Sequence, residues 1–306
     1  LENFSKNGQN FFLALGFYRP HTPYVAPKKY FDLYERSEIV IPNSGEEYLA
    51  TLPLPAAKSI RAKEVQLNLE EELAKEIKEA YYATTSFVDA QLGRVLEKLE
   101  QTGLDKNTII VFTSDHGYHL GEHGHWQKQT LFENATRVPL IFSIPWAKPT
   151  IKRSNSPVEL IDLYPTIMDL LDIKIPNHVV GKSLKPIMLN NSSNIRNSAL
   201  TKWQNGYSIR TEQYRITKWG ENGELGYELY DHLEDHQELN NLANDISKIK
   251  LLDSLKTIID TRISEANIIP NEIGRQLKNV KSLNKAPNLT FGDLHNEKGK
   301  RIYFKE

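Results

Sequence analysis

A short apolar run that ends in a polar, histidine-rich loop constrains the fold of this chain more than any other stretch. Residues 109–112 (IIVF) have the length and β-favouring character of a buried strand, and Thr-Ser-Asp-His-Gly follows at residues 113–117. A second apolar strand is predicted at residues 138–142 (VPLIF). Glycines interleaved with histidines favour a loop between the two. Since ligands collect where strands leave an open α/β sheet, the pattern predicts an active-site loop between two core strands.

Four histidines fall within ten positions of this loop: His116, His119, His123 and His125. A single histidine is usually a surface or core residue, but a cluster of this kind indicates a functional site. Individually, only Asp115, His116 and Lys128 are strong candidates for chemistry. Glu122, His123 and His125 either orient a ligand or stabilise the loop, and His119 is left undecided. Trp126 either lines a pocket or packs.

The strongest helical periodicity lies just upstream, over residues 68–101, and Gly103 marks its end. A helix that leads into the strand at residue 109 forms an α/β unit. Further upstream, residues 11–17 are predicted to form a buried strand and residues 27–34 a short helix. The proline-rich residues 37–66 are predicted to form a long surface excursion.

The second half of the chain has a different pattern. An amphipathic helix over residues 157–171 is predicted to be interrupted at Pro165, and the polar residues 190–197 are the best linker candidate. Beyond them the pattern predicts short strands and then a helix, at residues 207–210, 214–218, 227–230 and 246–266. We therefore predict two units, with residues 1–190 in a large α/β domain and residues 191–306 in a smaller α+β subdomain.

Two segments resemble the type I, formylglycine-dependent sulfatases, in their iduronate-2-sulfatase-like branch. One is Ser-Asp-His-Gly at residues 114–117, continued by Leu-Gly-Glu-His-Gly, Trp126 and Lys128; the other is Pro-His-Thr-Pro at residues 20–23. Ser-Asp-His-Gly alone is shared with related phosphatases and phosphodiesterases, whereas its continuation is specific. The similarity extends to about residue 270. It implies an alkaline-phosphatase-like α/β sandwich, with a central mixed sheet flanked by helices, of which this chain resembles the C-terminal portion.

The resemblance implies roles for four residues. Asp115 and His116 match two metal ligands of the family, Lys128 its sulfate-contacting lysine and His21 its leaving-group histidine. An aspartate suits Ca²⁺, a lysine suits a sulfuryl oxygen, and a histidine titrates near neutral pH, where it protonates a departing oxygen. An Asp-His pair by itself would favour zinc or manganese. Because this branch carries a histidine beside calcium, Ca²⁺ is the expected ion.

From the residues alone, His21 has two interpretations. Pro20 and Pro23 restrict the backbone on both sides of it and would hold the imidazole in a fixed direction. An ordinary proline-rich turn with an exposed histidine fits equally well. The resemblance favours the functional interpretation.

Composition excludes several classes of protein. The formal net charge of −1 gives no general attraction to nucleic acid or to an anionic membrane, and no apolar run is long enough to span a bilayer. Without cysteine there is neither a disulfide frame nor a thiolate metal site in these residues. The 306 residues also lack the Cys/Ser-x-Pro/Ala-x-Arg motif from which sulfatases make formylglycine. We therefore expect the nucleophile and the remaining metal ligands in an N-terminal half of the same protein.

The expected function is hydrolysis of O-sulfate esters in a sulfated oligosaccharide or polysaccharide. The resemblance also implies an exported enzyme, periplasmic or extracellular in a bacterium or lysosomal in a eukaryote. The sugar, the sulfate position and exo or endo action are left open. Two alternatives also stay open: a formylglycine-type phosphonate or phosphate ester hydrolase, and a non-catalytic module that binds sulfated glycans.

Overall fold

The computed structural model describes residues 1–42, 47–67, 69–149, 151–189 and 194–269, together with the backbone of residues 294–295 and 301–302. The helices are α1 (Glu2–Asn7), α2 (Lys28–Phe31), α3 (Leu54–Ile60), α4 (Glu71–Gln101), α5 (Glu133–Thr136), α6 (Leu163–Leu170), α7 (Lys185–Leu189) and α8 (Ile249–Asn267). The strands are β1 (Ile110–Thr113), β2 (His119–Leu120), β3 (Trp126–Gln127), β4 (Leu140–Ser143), β5 (Ala199–Trp203), β6 (Gly206–Arg210), β7 (Tyr214–Trp219), β8 (Gly226–Asp231), β9 (Leu294–His295) and β10 (Arg301–Ile302).

Helix α4 is the long helix that the periodicity predicts. It has 31 residues, which corresponds to about 46 Å. The chain leaves it through Gly103, whose φ of 71° lies in the left-handed region that glycine adopts without strain. A single 3₁₀ turn (Leu104–Asn107) then leads into β1. The predicted α/β unit is therefore confirmed.

The two strands that flank the histidine loop are also confirmed. Strands β1 and β4 pair antiparallel, with Val111 opposite Phe142. They are not buried core strands, because Phe112 is 37% exposed and Ile141 is 58% exposed. Among the described residues no other strand pairs with either of them. One strand pair leaves apolar side chains uncovered where a wider sheet and its second layer would cover them.

The buried strand predicted at residues 11–17 is wrong for the structure of this chain. These residues form no strand, and Phe12, Leu13 and Leu15 are 83%, 51% and 47% exposed. A strand exists only when its backbone N–H and C=O groups have a partner strand. Within the described residues, no segment provides that partner for residues 11–17.

Residues 37–66 are not a structureless surface excursion, so that prediction is wrong as well. Pro53 precedes α3, and proline is tolerated at a helix start because the first N–H groups have no intrahelical partner. Tyr48, Ala56 and Ile60 are buried in one core cluster with Trp219 and other residues of the C-terminal sheet. The segment therefore underlies the histidine loop and contributes to the core.

The helix predicted at residues 157–171 is shorter and is not interrupted at Pro165. A 3₁₀ turn (Leu160–Asp162) comes first, and α6 begins at Leu163. Pro165 therefore lies in the first turn of α6, where its missing N–H costs no hydrogen bond. The kink that the proline predicts is absent for this reason.

The C-terminal part contains the predicted strands and helix, and one strand more. Strands β5 to β8 form an antiparallel sheet in sequence order, with β5 as the additional strand. Helix α8 buries Leu255 and Ile259 against Ile209, Ile216 and Leu229 of this sheet. The division at residue 190 stays a prediction, since residues 190–193 of the predicted linker lie outside the described residues. Nearly all of the predicted tail after residue 270 also lies outside the described residues.

No helix in the described ranges combines the length and the apolar character needed to cross a membrane.

Candidate active site

The site begins where β1 ends, at Asp115 and His116. His116 Nδ1 lies 2.8 Å from the carbonyl oxygen of Gly117, which accepts but never donates, so Nδ1 carries the proton. Nε2 therefore has a free lone pair, and it lies 3.6 Å from Oδ2 of Asp115. The backbone N–H of His116 donates to Asp115 Oδ1 at 3.1 Å and orients the carboxylate. An oxygen and a nitrogen with free lone pairs thus face each other, which is how two metal ligands are arranged.

Close contact with α5 fixes this loop. The backbone N–H of Gly117 donates to the carbonyl of Ala135 at 2.8 Å. A Cβ added at Gly117 would lie 2.0 Å from the carbonyl oxygen of Asn134, so no side chain fits there. Glycine is required at this position by the approach of the two backbones.

Lys128 directly follows the β2–β3 hairpin. His119 is paired with Gln127, and continuing this antiparallel register by one step would put Lys128 opposite Tyr118, two residues from His116. Lys128 is half-buried, and no carboxylate of the described residues forms an ion pair with it. A partly desolvated lysine of this kind suits an anionic ligand. Gln127 has a φ of 93°, which few side chains adopt, and Lys63 Nζ donates to its amide oxygen.

His21 lies in a loop closed by its own hydrogen bonds. Its backbone N–H donates to Tyr18 O at 3.1 Å, and its Nδ1 donates to Thr22 O at 2.8 Å. The Tyr18 hydroxyl donates to the same Thr22 oxygen at 3.0 Å. The His21 side chain is exposed. At the end of this loop the hydroxyl of Tyr24 lies 2.6 Å from that of Tyr118, so the loop lies against the segment that follows His116.

The other three histidines of the loop are buried. His119, His123 and His125 are at most 4% exposed. His123 Nδ1 is hydrogen-bonded to the Tyr48 hydroxyl at 2.6 Å, and His125 Nδ1 donates to Ile60 O at 2.8 Å. Burial lowers the pKa of all three, to about 4 for His123, and keeps the rings neutral. They stabilise the loop on the segment that contains α3.

Comparison with known proteins identifies the family. The family described as Sulfatase matches residues 1–173, and the one described as N-sulphoglucosamine sulphohydrolase, C-terminal, matches residues 121–265. The chain belongs to the sulfatase family. A sulfatase of Formosa agariphila is 37% identical over 85% of this chain and 51% of its own length. Human iduronate 2-sulfatase is 28% identical over 78% of this chain and 60% of its own length.

A solved structure shows the same fold. The phosphonate monoester hydrolase from Silicibacter pomeroyi superimposes with a TM-score of 0.76 and 26% identity, covering 87% of this chain and 58% of that chain. The alkaline-phosphatase-like fold predicted from the sequence is therefore confirmed, as is the resemblance to the iduronate 2-sulfatases. This sulfatase chain spans between half and two thirds of the length of the relatives named above.

Sulfatases generally use a metal ion, and a second group of potential metal ligands lies between α5 and the C-terminal sheet. Glu133, His232 and Glu238 bring one ligand atom each within 4.8 Å of one another. The guanidinium of Arg215 already donates to both carboxylates, to Glu238 at 2.5 Å. Burial opposes ionisation of Glu238, but Arg215 and His232 outweigh it and lower its pKa to about 2. A cation here would have to displace Arg215, so the group is a buried ion-pair network and not a metal site.

Some site residues of this sulfatase are not evident from the sequence. Tyr24 and Tyr118 are hydrogen-bonded although 94 positions separate them, and Lys63 contacts Gln127 across 64 positions. No local pattern signals either pair. Trp126, for which a pocket role was open, is 5% exposed and packs in the core.

Proposed function

We propose that this chain is the C-terminal part of an enzyme that hydrolyses O-sulfate esters of a sulfated carbohydrate. The observation that carries the proposal is the free Nε2 of His116 beside the Asp115 carboxylate at the end of β1. The His21 loop contacts Tyr118, two residues after His116, and Lys128 directly follows the hairpin that begins at His119. Iduronate 2-sulfatase, named for a sugar sulfate, supports a carbohydrate substrate.

In this proposal each residue has one task. Asp115 and His116 hold a divalent cation, Ca²⁺ by family resemblance, and their free lone pairs fit that role. A divalent cation held by these two residues would supply positive charge opposite the sulfuryl oxygens. Lys128 binds another sulfuryl oxygen through its ammonium group. His21 donates the proton from Nε2 to the departing sugar oxygen, which would otherwise leave as an alkoxide.

The remaining parts of the site are proposed to come from an N-terminal half of the same protein. Two ligands are too few for calcium, which takes six to eight oxygen ligands in most sites. The 306 residues contain no formylglycine motif. Apolar side chains of residues 11–17, β1 and β4 are exposed in this chain and would be covered by such a half. Export to the periplasm, the extracellular space or the lysosome is proposed by resemblance to this family.

The second candidate is hydrolysis of a phosphonate or phosphate ester. The superposition on a phosphonate monoester hydrolase favours it. Sulfate and phosphate esters are both tetrahedral anions, so a cation and Lys128 would serve either. Turnover of a sulfate ester and of a phosphonate ester by the same native protein, measured side by side, separates the two.

The proposal is tested by metal analysis and sulfate release on the native protein that contains this chain, with a panel of sulfated sugars. Asp115→Ala should lose the calcium, and Lys128→Ala should lose sulfate release while the protein stays folded. Asp253→Ala and Lys256→Ala on the exposed side of α8 are the matched controls, and both should behave as the parent. Stoichiometric calcium in Asp115→Ala would rule out this ligand assignment. Unchanged release by Lys128→Ala would exclude its sulfate contact.

A further inference from the structure

Three tyrosines from distant parts of the chain meet beside the candidate site. The hydroxyls of Tyr24 and Tyr118 lie 2.6 Å apart. The ring of Tyr118 stacks on Tyr81 at 5.1 Å with an interplanar angle of 27°, and Tyr24 meets Tyr81 edge-on at 5.9 Å. We call Tyr24, Tyr81 and Tyr118 the tyrosine cluster. Offset stacking and edge-to-face contacts are the favoured aromatic geometries, so the rings hold one another in place.

The tyrosine cluster connects the segments that carry the proposed catalytic groups. Tyr24 comes three residues after His21, at the end of the loop that its own hydrogen bonds close. Tyr118 comes two residues after His116, and Tyr81 lies inside the long helix α4. Of the hydrogen bonds among the described residues, Tyr24–Tyr118 is the one that joins residues 18–25 to another segment. This bond and the ring contacts with Tyr81 therefore connect the His21 loop to the segment that carries the proposed metal ligands.

The chemistry of the phenols fits a holding role. The two hydroxyls meet at a partly buried contact, 2.6 Å apart. Each hydroxyl is the other's partner, and loss of one leaves the second without that bond at a partly buried site. Neither phenol is needed to transfer a proton itself.

We propose that Tyr24 and Tyr118 are positioning residues that hold the His21 imidazole at the leaving-group oxygen. This inference rests on the proposed role of His21 in sulfate ester hydrolysis. It has a chemical signature that a purely structural role lacks. A leaving group of low pKa departs without a proton, so its rate is insensitive to the placement of His21. A sugar or alkyl oxygen needs the proton, so its rate depends on that placement.

The test uses the native protein and a series of sulfate esters whose leaving alcohols span a wide range of pKa, from nitrophenol to alkyl alcohols. For Tyr24→Phe and Tyr118→Phe, kcat for alkyl sulfates should fall roughly tenfold, while kcat for nitrophenyl sulfate changes less than about twofold. The ratio of the two rates does not depend on how much of the protein is folded. Tyr34→Phe is the matched control, because its hydroxyl also makes a 2.6 Å bond, to Ser86 on α4, away from His21.

The double variant and His21→Ala complete the experiment. The two Phe changes remove the same bond, so the double variant should be no slower than the slower single variant. The positioning role alone would be overturned by the following pair of results. Both Phe variants lose the same factor in rate for every leaving group, while the loss in His21→Ala depends on the leaving group. A uniform loss in His21→Ala would overturn the proposed acid itself, and the positioning inference with it.

Discussion

The replacement Glu228→Gln tests the electrostatics of the core beneath the histidine loop. Glu228 lies in β8 with 2% exposure and accepts hydrogen bonds from Trp219 Nε1 at 2.5 Å and from the Tyr230 hydroxyl at 2.8 Å. Burial raises its pKa from 4.5 to about 7, because the two donors and the charge of Arg215 only partly offset the loss of hydration. Ionisation of the Glu228 carboxylate therefore lowers the free energy of unfolding.

The pKa gives the sign and the size of the effect. A folded-state pKa above the unfolded value means that the native protein binds this proton more tightly. The stability contributed by the proton is complete below pH 4.5 and is lost as the pH rises through 7. A pKa difference of about 2.5 corresponds, at about 1.4 kcal/mol per pH unit, to about 3 kcal/mol.

Glutamine keeps the hydrogen bonds and removes the charge. Its amide oxygen accepts from Trp219, and its NH₂ group donates to the Tyr230 hydroxyl, which rotates to accept. At pH 8 the free energy of unfolding of Glu228→Gln should therefore exceed that of the parent by about 3 kcal/mol, and the two should converge near pH 4.5. Urea unfolding across this pH range measures the difference, with the exposed Glu221→Gln as control. A difference that is independent of pH would refute the reasoning.

Two further variants test the loop. Gly117→Ala places a methyl group 2.0 Å from Asn134 O and should weaken binding of the proposed cation, titrated as Ca²⁺ in calorimetry, at least roughly tenfold. Gly93→Ala on α4, with open space around it, should not. Burial lowers the pKa of His123 from 6.5 to about 4, so its neutral ring contributes stability at neutral pH. This contribution to the free energy of unfolding is lost as the pH falls below 6.5. Between pH 7 and 5 the parent should lose about 2 kcal/mol more than His123→Gln in urea unfolding, and parallel curves would contradict this.

Local patterns were sufficient where neighbouring residues decide the structure. The period of α4 and the apolar run of β1 lie within single segments, and both elements were predicted. Residues 37–66 were mispredicted because Tyr48 and Ala56 become buried through Trp219, which is more than 160 positions away. Periodicity within a segment contains no information about such a partner.

The same distinction applies to the site. Asp115 and His116 could be predicted as candidates because they are adjacent to each other and to the end of a predicted strand. The Tyr24–Tyr118 bond, the Lys63–Gln127 contact and the positive φ of Gln127 depend on how remote segments meet. A motif names the groups that perform chemistry. The contacts that hold those groups become evident only in three dimensions.

The buried ion-pair network gives the C-terminal sheet a part in this placement. Glu133 begins α5; its side chain accepts from Arg215 of β7, and its backbone N–H donates to Glu238 at 2.7 Å. Two residues further on, the Ala135 carbonyl accepts the N–H of Gly117, beside His116. The sheet is therefore connected to the proposed metal ligands through one short helix. Removing one member of a buried ion pair leaves the other charge uncompensated, so α5 is held strongly at this end. The C-terminal sheet thus supports, through α5, the loop that carries the proposed metal ligands, even though none of these contacts involves Asp115 or His116 directly.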